Sequence, residues 1–190
     1  QVEGVVWYPV GQNRWRKGKK KALPLYEGKM IQAYDHRASD IVVVEGNVFR
    51  PGQGQDLTDE DHRDFNRIPQ PRYFVAVNEI DWQAPGEWCL ALKDVTSVTN
   101  ARTVIMAAIP RVAAGHTLPL ILPTDKSASV KIGKADLDYN TFAPLLLANF
   151  NSFPLDYLAR QKVHGNHIAW YLAEQLPVIV PAGYSRSIGA

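Results

Sequence analysis

Runs of Val, Ile, Thr and aromatic residues, bounded in several places by turn formers, predict strands over Gly4–Tyr8, Ile41–Val44, Tyr73–Val77, Cys89–Lys93, Thr103–Ile109 and Thr117–Leu122. Between the second and third of these, Pro51–Gln55 reads as a Gly/Gln loop. Thr58-x-x-Asp61 then has the spacing of a capping box and predicts a short helix over Asp59–Asn66. Pro69 and Pro71 force an extended approach to Tyr73.

The apolar period changes in the last third of the chain. Thr141 is placed to cap a helix over Phe142–Phe150, where Leu146, Leu147 and Phe150 fall at helical spacing. Asn151 or Ser152 caps the next helix, which takes Pro154 into its first turn and runs to Val163. Gly165 and Asn166 break the chain, and His167–Gln175 reads as a third helix that ends before Pro177. Strands first and helices last predict an α+β fold, a curved mixed β-sheet with C-terminal helices packed on it. No internal repeat is visible. Residues 1–24 read as a linker or edge segment and 25–190 as the domain.

Composition bounds the function classes. The chain has 190 residues, 46% hydrophobic and 21% charged, enough for one sizeable core. Its longest apolar stretches, Val104–Ile109 and Leu118–Leu122, are cut by Pro110, Pro119 and Pro123. They fall far short of the ~20 residues that span a bilayer, so no membrane partner is expected. Gln1–Val10 lacks a basic head and a cleavage site, and Gln in place of Met at the start reads as a piece of a longer protein. The single cysteine, Cys89, excludes an internal disulfide and reads as a core thiol in an apolar strand. A cytoplasmic location is expected.

The net charge of +2 is unevenly spread. Arg14, Arg16, Lys17, Lys19, Lys20, Lys21, Lys29 and Arg37 outnumber Glu27 and Asp35, whereas Asp56, Asp59, Glu60, Asp61 and Asp64 surround Arg63. A basic patch suits phosphate contact; on charge alone, a solvated loop explains it better.

Several catalytic signatures are absent. No Gly-rich phosphate loop, dinucleotide turn or Gly-x-Ser-x-Gly elbow occurs, and no Pro-Pro pair is present to build the Asn/Asp-Pro-Pro-aromatic site of an amino-methyltransferase. Glu27-Gly28-Lys29 supplies half of a metal-nuclease pattern, but only Glu3 precedes it as an acid. The histidines are His36, His62, His116, His164 and His167. The last two, with Asp156 as a conceivable third ligand, straddle the Gly165-Asn166 break, so a surface or DNA-facing role outweighs metal binding. Neither a catalytic centre nor a metal site is expected in the chain.

Three stretches stand out: Pro24-Leu25-Tyr26-Glu27-Gly28-Lys29-Met30 to Asp35-His36-Arg37; Ala91 to Asn100-Ala101-Arg102-Thr103, followed by Gly115-His116-Thr117-Leu118-Pro119; and Ala148-Asn149-Phe150-Asn151-Ser152-Phe153 through Arg160-Gln161-Lys162 and His164 to His167, closing at Leu176-Pro177. Pro71-Arg72-Tyr73-Phe74-Val75 fits the same series, with Phe74 where a Trp is usual. No single piece is specific, but the ordered set from Trp15 to Pro181 closely resembles the C-terminal target-recognition region of type IIG-like N6-adenine DNA methyltransferases of restriction–modification and phage-defence systems.

The resemblance implies a DNA sequence-recognition domain. Its partners would be double-stranded DNA and a covalently linked methyltransferase domain that binds S-adenosylmethionine outside this chain. Such a module needs cations on phosphates to fix register and donors on base edges to read sequence. Candidate DNA contacts are Arg14, Arg16, Lys17, Lys19, Lys20 and Lys21, read equally as a solvated linker, then Lys29, His36, Arg37, Arg111 and His116, and the set Arg160, Lys162, His164, Asn166 and His167. Arg102 reads better as a structural ion-pair partner, Asp35 as a pair for Arg37 or a turn cap, and His116 equally as a cap. The competing readings are a protein-interaction domain that docks on a methylase or nuclease subunit, and a metal nuclease using Glu27 and Lys29.

Overall fold

The computed structural model describes residues 8–9, 15–17, 20–44, 46, 52–82, 86–123, 130–132, 135–180 and 183–184; for the strand residues up to 20 and over 130–137 only the backbone is considered. Of the expected strand Gly4–Tyr8 only Tyr8 falls within them.

The fold is α+β, with mixed sheets and a helical C-terminal third. At its centre lies an antiparallel sheet of β7 (Trp88–Leu92), β8 (Met106–Pro110) and β10 (Leu120–Ile121), in the order β10-β7-β8. Cys89, Leu90, Ala91 and Leu92 are all fully buried, so both faces of this sheet are covered. Strand alternation divides the load. Cys89, Ala91, Ala107 and Ile109 join a core with Tyr26, Met30, Ile31, Ile41 and Leu118. Leu90, Leu92 and Met106 join a second core with Ala143, Phe150, Leu155, Ala159, Val163 and Ile168.

The first face is covered by chain drawn from the N-terminal half. β1 (Tyr8–Pro9), β2 (Trp15–Lys17), β3 (Lys20–Tyr26) and β6 (Phe74–Ala76) form an antiparallel path, and β9 (Ala113–Ala114) adds in parallel to the end of β3. The described residues of the expected linker or edge segment, Tyr8–Pro9, Trp15–Lys17 and those from Lys20 on, are therefore strand, and β3 runs through the position 24/25. After β3 the chain makes a 3-10 turn, Gly28–Met30. The Gly28 amide donates to Thr117 Oγ1 at 3.1 Å, and a Cβ on Gly28 would stand 2.6 Å from the Thr117 carbonyl oxygen. Only glycine lets these two backbones approach so closely.

β4 (Ser39–Val43) and β5 (Gly52–Asp56) form a separate two-stranded ribbon. The supposed Gly/Gln loop is thus largely a strand: its alternating Gly and Gln carry no β-branched signal, and pairing with β4 supplies what propensity does not. α1 (Asp59–Arg63) follows, with both arms of the Thr58–Asp61 capping box formed. It is shorter than Asp59–Asn66 because the chain turns away at Asp64. A two-stranded pair, β11 (Val130–Ile132) with β12 (Ala135–Leu137), precedes the helices.

On the second face α2 (Tyr139–Phe150) and α3 (Phe153–Arg160) cover the sheet. Asp138, not Thr141, caps α2; its carboxylate accepts from the Thr141 amide and hydroxyl. A carboxylate nearer the helix start wins because it satisfies two donors and suits the positive end of the helix dipole. Tyr139 enters the core, and its hydroxyl accepts from the Leu90 amide and donates to the Ile121 carbonyl, bridging a register pair of β7 and β10. Ser152 caps α3. The third helix, α4, is confined to Trp170–Ala173, because His167 instead pairs with Val95 in an isolated β-bridge.

Gly28→Ala is expected to lower stability by about 1–3 kcal/mol, the usual cost of forcing atoms into a filled site. The check is a reduced urea midpoint at unchanged slope, with Gly165→Ala as the control, since a Cβ there meets nothing within 4 Å.

Candidate nucleic-acid interface

The motif residues are drawn together chiefly by hydrogen bonds to backbone. Asp156, on α3, is 5% exposed. Its Oδ1 accepts from the Thr103 amide at 2.7 Å and the Val104 amide at 2.8 Å, and its Oδ2 from Arg160 Nε at 2.9 Å. Burial opposes its charge, but the Val104 amide, Arg160 and the Thr103 amide outweigh burial and hold the carboxyl below its ordinary range. The remaining guanidinium donors of Arg160 reach the carbonyls of Val98 at 2.7 Å and of Asn100 and Ala101 at 2.8 Å. Asn151 supplies a second tie: its amide side chain donates to the Met106 carbonyl at 2.8 Å and accepts from the Met106 amide at 3.0 Å. Arg102 donates to the Asn151 carbonyl and lies 4.0 Å over the Phe153 ring. The Asn-x-Arg-Thr and Asn-Ser elements therefore hold the helices to β8.

Arg37 behaves similarly. Its guanidinium donates to the carbonyls of His62 and Asp64 at 2.8 Å and of Arg67 at 3.2 Å. Arg67 in turn pairs with Asp40 and Asp61. The acidic stretch 56–64 is thus partly neutralised within the fold. His62 sits between two acceptors, the Thr58 carbonyl at 2.8 Å from Nδ1 and Asp35 Oδ2 at 3.0 Å from Nε2. The Thr58 carbonyl and then the Asp35 carboxylate raise its pKa, since only the charged ring donates to both. Asp35 Oδ1 also accepts from the Arg37 amide, closing the turn.

For Arg37 and Arg160, contact with DNA would require breaking these bonds, so the structure gives both an internal role. His36 is half-buried with Nδ1 3.5 Å from the Tyr26 hydroxyl, and burial pushes its pKa down, which weakens it as a phosphate partner at neutral pH. Lys29 donates to the Gly52 carbonyl at 2.8 Å and lies 3.3 Å from Glu27. Arg111 is exposed, 3.5 Å from Glu87. His116 is exposed in the turn after β9, at the rim of a cavity of about 430 Å³ shared with Trp82 and Leu120.

The basic run is brought together. The antiparallel register of β2 and β3 sets Arg16 opposite Lys21 and Lys17 opposite Lys20. Arg14 and Lys19 lie outside the described residues. At the other end of the chain, His164, Asn166 and His167 are exposed on one turn. The Thr96 amide donates to the Asn166 carbonyl and the Ile168 amide to the Asp94 carbonyl, each at 2.9 Å, while His167 Nδ1 meets Asp94 Oδ2 at 2.9 Å. The backbone of this turn is fixed and its polar side chains face solvent. Lys162 is 3.5 Å from Gln175.

Among the described residues no group of His, Cys, Asp and Glu side chains converges as a metal site, and no helix is long and apolar enough to cross a membrane. Cys89 is buried, and burial pushes its thiol up to about 12, which removes its nucleophilicity at neutral pH. Arg67, which pairs with Asp40 and Asp61, was not singled out from the sequence; its partners lie 27 and 6 residues away, and only the fold brings the first to it. Compared with family models, with curated proteins and with solved structures, the chain matches none.

Asp156→Ala is expected to cost about 3–5 kcal/mol, as breaking a buried, hydrogen-bonded ion pair does, and chemical denaturation measures it. His62 gives a pH signature of definite sign. Its folded pKa lies above the ordinary 6.5, so its contribution is complete below that value and is lost as pH rises through the raised one. The stability difference between wild type and His62→Ala should therefore shrink on going from mildly acidic to mildly alkaline buffer.

Proposed function

We propose that this chain is a DNA-binding specificity domain that positions duplex DNA for a covalently linked adenine methyltransferase domain. In this reading S-adenosylmethionine and the chemistry belong to that second domain, and the present chain contributes binding alone. The observation that carries the proposal is the β2–β3 hairpin, where the register opposes Arg16 to Lys21 and Lys17 to Lys20. A phosphodiester strand carries the charge opposite to these four residues, and release of condensed counterions drives such an association. The ordered motif series supports the same reading, since its arginines and asparagines build a framework beside which the exposed 164–167 turn is fixed through the Thr96 amide.

A second reading has its own observation. Phe153, Tyr157, Trp170 and Tyr171 are at least half exposed, and Pro154, Leu155, Leu158, Pro177 and Ile179 line an apolar groove of about 390 Å³. Exposed apolar surface of this kind suits a protein contact, and it serves the linked domain in the first reading or a separate subunit in the second.

The experiment is duplex DNA binding as a function of salt. Wild type should show log K falling steeply with log salt. Replacing Arg16, Lys17, Lys20 and Lys21 with Gln should lower that slope by about 0.9 for each phosphate that is no longer neutralised. Thermal stability should not fall, because the opposed like charges are removed. Salt-insensitive or absent DNA binding by the wild-type chain would contradict the proposal.

A further inference from the structure

We propose that the cavity of about 430 Å³ beside Trp82 binds a small organic cation, an ammonium group carried on an aryl or alkyl body. This site requires nothing of the DNA-binding reading above.

The cavity is built from two sheets. β3 contributes Leu25 and β6 contributes Val75, while the chain leaving the 3-10 turn Val77–Glu79 brings Ile80 and Trp82. The chain from β9 to β10 lines it with Leu118 and Leu120. These walls are fixed by bonds of their own. The Gly115 amide donates to the Tyr26 carbonyl at 2.8 Å, and the Leu118 amide to the Gly115 carbonyl at 2.9 Å. The Trp82 indole is held in place as its Nε1 donates to the Gly86 carbonyl at 2.6 Å. A volume in this range, apolar walls and a few polar groups are the features of a small-ligand pocket.

The polar groups decide the charge of the ligand. Glu79 and Asp81 line the cavity, are exposed, and have no hydrogen-bond or ion-pair partner among the described residues. The donors named above, on Trp82, Gly115 and Leu118, are already committed to carbonyls. The cavity therefore offers two carboxylates as acceptors, and the imidazole of His116 stands beside them at the rim. Arg111 lies 5.9 Å from the centre of the Trp82 ring, but it faces Glu87 at 3.5 Å and is not part of the lining. Two carboxylates at the mouth repel phosphates and carboxylates and attract a cation. The apolar walls gain by covering its hydrocarbon body, and the indole face attracts the ammonium group through its quadrupole.

The test titrates the full chain with three probes of similar shape: phenethylammonium, the neutral 2-phenylethanol and the anionic 3-phenylpropionate. Binding is followed at the indole N–H resonance of Trp82, identified by its loss in Trp82→Phe. In the wild type this resonance should shift saturably with phenethylammonium. The cation should bind about tenfold more tightly than the neutral probe, as expected of two ion pairs at a partly solvated rim, and the anion should bind most weakly. In the double variant Glu79→Gln/Asp81→Asn the preference for the cation should vanish, with an unchanged thermal midpoint because both residues are exposed. Absence of a saturable shift with phenethylammonium, equal affinity for the cation and the anion in the wild type, or an undiminished cation preference in the double variant would each overturn the proposal.

Discussion

The Asp156 carboxylate accepts two backbone amides from the chain entering β8 and the guanidinium of a residue one helical turn along α3. That arrangement decides where the helices lie on the central sheet. A buried carboxylate survives only if its lone pairs are occupied, and here they are met by Thr103, Val104 and Arg160. Arg160 extends the constraint outward, because its other donors gather the carbonyls of the 98–101 turn. The turn preceding β8, the start of β8 and α3 thus form one unit, with Asn151 acting as a second tie on Met106.

This constraint separates the polar residues into two kinds. Arg37, Arg102 and Arg160 lie in the stretches that carry the family resemblance, and each spends donors on backbone carbonyls within the chain. Lys21, His164 and Asn166 face solvent, and the register of β2 and β3 gathers Arg16, Lys17, Lys20 and Lys21. Motif residues of the first kind maintain a shape; under the proposed function, the contacts to DNA fall to the second. The β4–β5 ribbon is anchored through Lys29, the Gln70 carbonyl and the Asp40–Arg67 pair.

The central strands were legible because β7 and β8 are continuous apolar runs, the signature of a sheet covered on both faces. The Thr58–Asp61 box and the Ser152 cap were legible because capping is local. β3 was hidden by Lys20, Lys21 and Pro24, which read as a linker or edge segment although Ala22 and Leu23 are buried. β5 was hidden by its glycines and glutamines. The roles of Arg37 and Arg160 could not be read, because their acceptors are carbonyls 25–30 and 59–62 residues away, and carbonyl oxygens leave no trace in side-chain sequence. Of the candidate site, the basic run was visible as composition; its folding into opposed pairs required the register.

Hydrogen–deuterium exchange of the full chain, free and bound to duplex DNA, tests the division between framework and reading surface most directly. The account predicts added protection at residues 15–21 and at the 164–167 turn, with the 96–104 segment and α3 already protected and unchanged. Protection that appears instead at 96–104 and α3, with the hairpin and the 164–167 turn unaffected by DNA, would contradict it.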